Sequence, residues 1–409
     1  MPLTFGSPVA QLEGSPRRRY YTGGNIARVQ SIGDLRARTH KLMPRFVLEY
    51  LEGGASEEAT LARERTCYAD WRVMPHTLVD VSRRDVRADI IGTEAPLPLV
   101  VAPTGLAGVF MRGADIALAQ GAARSGVPFV QSTMSNERME DVAKVPGLRH
   151  WWQLYVFGPD EIWQDLVDRA DACGCEALVI TTNSQIFGQR EWDSRTRVSG
   201  QRPSWSTVFD SALHPRWLAT TLNRGMPEFS NVMRFVPKDR SSFFDSAFWI
   251  REQMWAQLDW TAVAKIRARW KKPLVVKGIL NLAEIAPALD SGIDGIVLDS
   301  HGGRQSDWAV APLDLLPRAR EMVPDRVSLF MTGGIRHGTD IIKAKALGAD
   351  VVMAGRAPLY GLCAYGADGV HCAIETLRGE ALNALAQYGV PDWRALSRDL
   401  LVRASELPL

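Results

Sequence analysis

The segment Asp299-Ser300-His301-Gly302-Gly303-Arg304-Gln305 sets an imidazole three residues from a guanidinium. On a loop leaving a β-strand, that pair can take a proton from a substrate while the arginine fork grips its carboxylate. Lys277 closes a Val-Val-Lys run and would point a cation into the same space, where it stabilises negative charge on a reduced cofactor. A buried structural ion pair is its plain alternative. Two turns, Thr332-Gly333-Gly334-Ile335-Arg336 and Ala354-Gly355-Arg356, set glycine beside arginine. Backbone N–H groups there make an anion pocket, so a phosphorylated ligand is implied; two tight turns with surface arginines are the alternative. His40, His76, His150, His337 and His371 stand in no motif and read mostly as structural or surface residues.

Such residues need a scaffold that brings them together. From residue 97 onward, eight β-rich apolar runs alternate with helical periodicity: Leu97 to Ala102, Pro128 to Gln131, Trp151 to Tyr155, Ala177 to Thr181, Leu274 to Lys277, Gly295 to Asp299, Val327 to Met331 and Asp350 to Ala354. Helices are predicted between them at Ala114 to Arg124, Asp160 to Ala172, Leu282 to Leu289 and Thr339 to Leu347. Eight β-then-α units predict an α/β fold, a closed (β/α)8 TIM barrel. A doubly wound sheet is less suited, because no Gly-x-Gly-x-x-Gly follows an early strand. Polar residues and glycines fall at the strands' C-terminal ends, the face where barrels place their chemistry. They are Thr104, Ser132, Gln153 with Tyr155, Thr181 with Asn183, Lys277, Asp299 with His301, and the two glycine turns.

The chain reads as a tail (1–29) followed by one domain (30–409), with a helical preface over 30–95 and covering helices over 369–409. The preface shows a helical stripe of Met43, Phe46, Val47, Tyr50 and Leu51 that stops at Gly53-Gly54. Residues 199–256 carry no strand signal and are rich in Trp, Phe and Met, so they read as a lid, a subunit interface or a membrane-contacting loop.

With 409 residues and 46% apolar content, the chain can bury a large core. The 48 Lys and Arg nearly cancel the 46 Asp and Glu, so no global field would gather nucleic acid, and the Arg17-Arg18-Arg19 run reads as a solvated tail. Five cysteines describe no disulfide framework, and neither a signal peptide nor a membrane span stands out, so a reducing, cytoplasmic setting is expected. No metal site is expected.

The His-Gly-Gly-Arg-Gln motif with the following Gly-Gly and Gly-Arg turns resembles the FMN-dependent 2-hydroxy acid dehydrogenase and oxidase family. The resemblance runs from about Leu35 to the C-terminus and is nearest to the mandelate dehydrogenase branch. It is carried there by Ala102-Pro103-Thr104-Gly105-Leu106, Leu213-His214-Pro215-Arg216-Trp217 and the block from Lys277 to Gln305. It implies FMN as cofactor and a small 2-hydroxy acid as substrate. His301 would be the base, Arg304 and Arg190 would hold the carboxylate, and Tyr50 and Tyr155 would complete the pocket. Flavin contacts would come from Pro103, Thr104, Gly105, Ser132, Gln153, Thr181 and Lys277, and phosphate contacts from Gly333, Gly334, Arg336, Gly355 and Arg356. Oxygen, a quinone or a protein would accept the electrons. A homotetramer and a peripheral contact with the inner face of the membrane are also implied.

Three positions depart from the family's pattern. Asn183 stands where an aspartate usually orients the histidine and offsets its protonated charge. Asp299-Ser300 replaces Ser-Asn, and since alternate strand residues share a face, Asp299 is expected to supply part of the missing carboxylate. Thr332 replaces an aspartate before the Gly-Gly turn. An FMN-binding barrel with an altered substrate, or one that is a non-catalytic interaction subunit, is the alternative reading.

Overall fold

The computed structural model describes residues 19–196, 203–222 and 225–407. All eight predicted strands are present, with ends moved by at most two residues: β1 (Leu99–Val101), β2 (Phe129–Ser132), β3 (His150–Leu154), β4 (Ala177–Thr181), β5 (Leu274–Ile279), β6 (Gly295–Leu298), β7 (Ser328–Thr332) and β8 (Val351–Ala354). They pair in parallel and in chain order, and β8 closes onto β1. Val100, Val130, Trp151, Val179, Val275, Val297, Phe330 and Val351 fill the barrel interior. Their neighbours along each strand pack outward against the helices, the period of two that a barrel wall requires. The two-stranded hairpin Ala88–Asp89 and Glu94–Ala95 adds Ile90 to the interior cluster.

Three helices form the preface: α1 (Ile32–Leu42), α2 (Arg45–Glu52) and α3 (Ala59–Thr66). Residues 19–29, expected as part of a tail, are pinned to it. The Tyr21 N–H donates to Asp34 Oδ1 at 2.7 Å, and Arg38 Nη1 donates to the Gly23 carbonyl at 2.7 Å. Arg17 and Arg18 lie outside the described residues. Near its far end the chain forms one long helix (Ala367–Tyr388), then turns back as a strand, Leu401–Arg403, antiparallel to Trp71–Val73 of the preface.

The long connection after β4 is not a plain loop. Among its described residues are helices over Trp205–Ala212, Pro215–Thr221 and Phe243–Gln253. Side-chain caps mark two of these starts: Ser204 accepts from the Thr207 N–H and Ser242 from the Asp245 N–H, each at 3.2 Å. These caps were legible signals, whereas composition alone pointed to a loop.

Candidate active site

One cavity of about 350 Å³ opens at the C-terminal ends of the strands. Every predicted site residue borders it except Asn183, Ser132, Gln153 and Thr181, which lie behind the lining. Parallel pairing explains the gathering, since the register sets Ser132 beside Gln153 and Thr181 beside Lys277.

His301 leaves β6 in the left-handed region, at φ 58°, a conformation that side-chain-bearing residues rarely adopt and that recurs at functional sites. Its Nδ1 lies 3.1 Å from Asn183 Oδ1 and 3.0 Å from Ser184 Oγ, and its Nε2 lies 3.5 Å from the Tyr155 hydroxyl. Asn183 Nδ2 donates to the Asp299 carbonyl at 2.9 Å and to Asp299 Oδ2 at 3.1 Å. Both of those oxygens can only accept, so the amide nitrogen must face them and Oδ1 must face the imidazole. Nδ1 therefore carries the proton, and Nε2 keeps its lone pair toward Tyr155. Burial, followed by the cations Lys277, Arg190, Arg304 and Arg356, holds this imidazole well below the usual histidine range. Burial likewise pushes the Tyr155 phenol up to about 12, so it stays a hydrogen-bond donor.

The carboxylate of Asp299 stands at one remove from His301. Asp299 borders the cavity, but its carboxylate pairs with Lys277 Nζ and reaches His301 only through the Asn183 amide. Lys277 is thus both a cavity cation and half of a buried ion pair, so the two readings of this lysine coexist.

The arginines crowd one wall. Arg304 donates to the Gly53 carbonyl at 2.6 Å and lies over the Tyr50 ring, 5.0 Å from its centroid. Arg190 holds the Arg304 carbonyl at 3.3 Å and Gln305 Oε1 at 3.2 Å. Burial, then the charge of Arg190, pushes the Arg304 guanidinium down to about 9, with Tyr50 and Asp193 opposing. The Tyr50 hydroxyl donates to the Gly105 carbonyl at 2.8 Å.

At the Gly333-Gly334 turn, the Tyr68 hydroxyl takes the Gly333 carbonyl at 2.7 Å, and Arg65 takes that of Gly334. Since N–H and C=O point oppositely across a trans peptide, the N–H groups of Gly334 and Ile335 turn away from these partners, toward the cavity. A Cβ on Gly334 would stand 2.0 Å from the Glu64 carbonyl, so only glycine fits. Arg336 and Arg356 border the same end. This cradle suits a phosphate. Gln153 suits a flavin edge: its Oε1 accepts from Ser132 Oγ at 3.0 Å, while its buried Nε2 has no partner among the described residues.

The chain matches the FMN-dependent dehydrogenase family over residues 39–403. It belongs to that family. An (S)-mandelate dehydrogenase of Pseudomonas putida is 39% identical over 91% of this chain and 93% of its own length. An L-lactate dehydrogenase of Caulobacter sp. (strain K31) is 33% identical over 92% of this chain and 99% of its own. The crystal structure of a monotopic membrane protein, (S)-mandelate dehydrogenase, superposes with a TM-score of 0.87 at 38% identity, covering 92% of this chain and all of that one. This family member is an FMN-dependent oxidoreductase acting on 2-hydroxy acids.

Several site residues escaped the sequence reading. Ser184 faces the imidazole, and Ala247, Phe248 and Ile250 of helix Phe243–Gln253 border the cavity with Met134 and Phe229. Thr332 brings no carboxylate to the glycine turn. The carboxylate that borders it is Glu64, from α3. Its signal was a charge inside a helical stripe, since Leu61, Glu64 and Tyr68 recur at intervals of three and four.

Proposed function

We propose that the enzyme oxidises an (S)-2-hydroxy acid with an apolar, mandelate-like substituent to the 2-oxo acid. The observation that carries this is the pair Arg190 and Arg304 bordering the same cavity as His301, whose Nε2 keeps its lone pair. Arg190 and Arg304 fix the substrate carboxylate as a charge-assisted fork, and Tyr50 supports it. His301 Nε2 takes one proton from the CHOH group, with Tyr155 steadying the substrate oxygen. FMN, held by Pro103 to Gly105, Ser132, Gln153, Thr181, Lys277 and the two glycine turns, supplies the two-electron acceptor. Lys277, with its charge shared by Asp299, faces the reacting centre. Leu106, Met134, Phe229, Phe248 and Ile250 offer an apolar surface to the substituent.

A peripheral membrane contact through the long connection is part of the same reading. No helix among the described residues is long and apolar enough to cross a membrane. Yet helix Trp205–Ala212 buries none of its residues and leaves Trp205 and Phe209 exposed at 88% and 69%, a face suited to lying in a lipid interface.

Anaerobic titration of the purified protein with (S)-mandelate and (S)-lactate tests the reaction. The flavin band is expected to bleach, more readily with mandelate, and readmitting air then separates an oxidase from a dehydrogenase. A flavin that stays oxidised with every hydroxy acid would overturn the proposal and favour an altered substrate.

A further inference from the structure

Glu64 is a buried carboxyl at the phosphate end of the cavity that the reaction above does not use. It is 2% exposed, and its carboxyl packs against Gly333, where an added Cβ would lie 3.0 Å from Oε1. Ser300 determines which oxygen is free. The Ser300 hydroxyl oxygen accepts from the Gly303 N–H at 3.1 Å, so its own proton goes to Glu64 Oε1. Oε2 is left with no partner among the described residues.

An unpaired buried carboxylate oxygen is costly, and beside a phosphate it would also repel. The nearby cations do not relieve it by contact. Arg356 donates to the carbonyls of Leu51, Glu52, Gly53 and Gly302, and Arg336 donates to that of Ile335. We propose that Glu64 is a cofactor-binding residue whose Oε2 carries a proton and donates it in a hydrogen bond to an oxygen at the phosphate–ribityl end of FMN.

The charged groups facing Glu64 are Arg336 after β7, Arg356 after β8 and Asp299 at the end of β6. Arg65 and Tyr68 are its neighbours on and just after its own helix. Burial dominates this set and pushes the carboxyl up to about 7, with Asp299 adding to the rise and Ser300, Arg356 and Arg336 opposing it. Above about pH 7 a proton is therefore taken up from solvent at Glu64 as FMN binds, and FMN binding weakens as pH rises.

This rests on the FMN site described above, and the test separates the two. Diluting purified holoenzyme between about pH 7 and 9, above the phosphate's second ionisation at about 6, and reading released flavin by fluorescence gives the FMN dissociation constant. For the wild type it is expected to rise with pH, approaching about tenfold per unit. Glu64→Gln, a neutral donor of the same shape, should flatten the curve and bind more tightly than the wild type at the alkaline end. Parallel curves for the two proteins, or weaker binding by Glu64→Gln at every pH, would overturn the assignment. If the variant does not fold, a wild-type constant that is flat or falls with pH overturns it alone. Purified protein that neither carries nor takes up FMN would instead defeat the cofactor site itself.

Discussion

His301 shows how one residue's chemistry is set by partners that do not touch the substrate. Asp299 accepts from Asn183, Asn183 thereby accepts from His301 Nδ1, and Nε2 is left as the base. Because a base must be neutral to act, and burial with four cations lowers this imidazole, its neutral form persists to acid pH. The acid limb of kcat/KM should therefore lie below pH ~6.5, the unperturbed histidine value; a limb above it would contradict the electrostatics. His301→Gln is expected to retain the flavin spectrum while lowering kcat roughly 100- to 10,000-fold, as followed by flavin reduction in stopped flow. His301, Arg304 and Lys277 were legible from residue type and spacing. The Asn183–Asp299 relay was not, because adjacency across β4 and β6 depends on side-chain direction as well as strand order.

At the scale of elements, the preface supplies Tyr50 from α2 and Glu64 from α3, so its attachment matters to the site. That attachment passes through Trp71, buried in the core and lying 4.3 Å from Arg398 and 4.6 Å from Arg403, measured from ring centroid to guanidinium carbon. Its strand also pairs with the chain's last strand. Trp71→Ala removes a large buried side chain and is expected to cost about 3–5 kcal/mol, read as a lower midpoint in urea denaturation; an unchanged midpoint would show that the clip is dispensable. The eight barrel strands were visible as short apolar runs, since burial on both faces demands them. The helices of the 203–253 region were obscured by their aromatic content, which reads equally as a loop, a lid or an interface.

For the whole molecule, the strands' common direction leaves one face for chemistry, and the long connection lines part of its cavity while exposing apolar residues such as Trp205 and Phe209. Trp205→Asp combined with Phe209→Asp should reduce co-sedimentation with anionic lipid vesicles several-fold while leaving flavin reduction by the substrate unchanged. Equal co-sedimentation of variant and wild type would move the membrane contact elsewhere.

Periodicity and strand-end chemistry by themselves determined the barrel and the face that carries His301, Lys277, Arg304 and the two glycine turns, while Tyr50 and Arg190 entered only through the family resemblance. These are repeating local properties, and the alternation of strand and helix leaves few ways to close. Tertiary structure alone decided that Asp299 pairs with Lys277 and reaches His301 through Asn183, and that a glutamate of the preface borders the phosphate cradle. The physical reason is that hydrogen-bond direction and burial depend on which atoms of distant segments meet, and no local pattern carries that information.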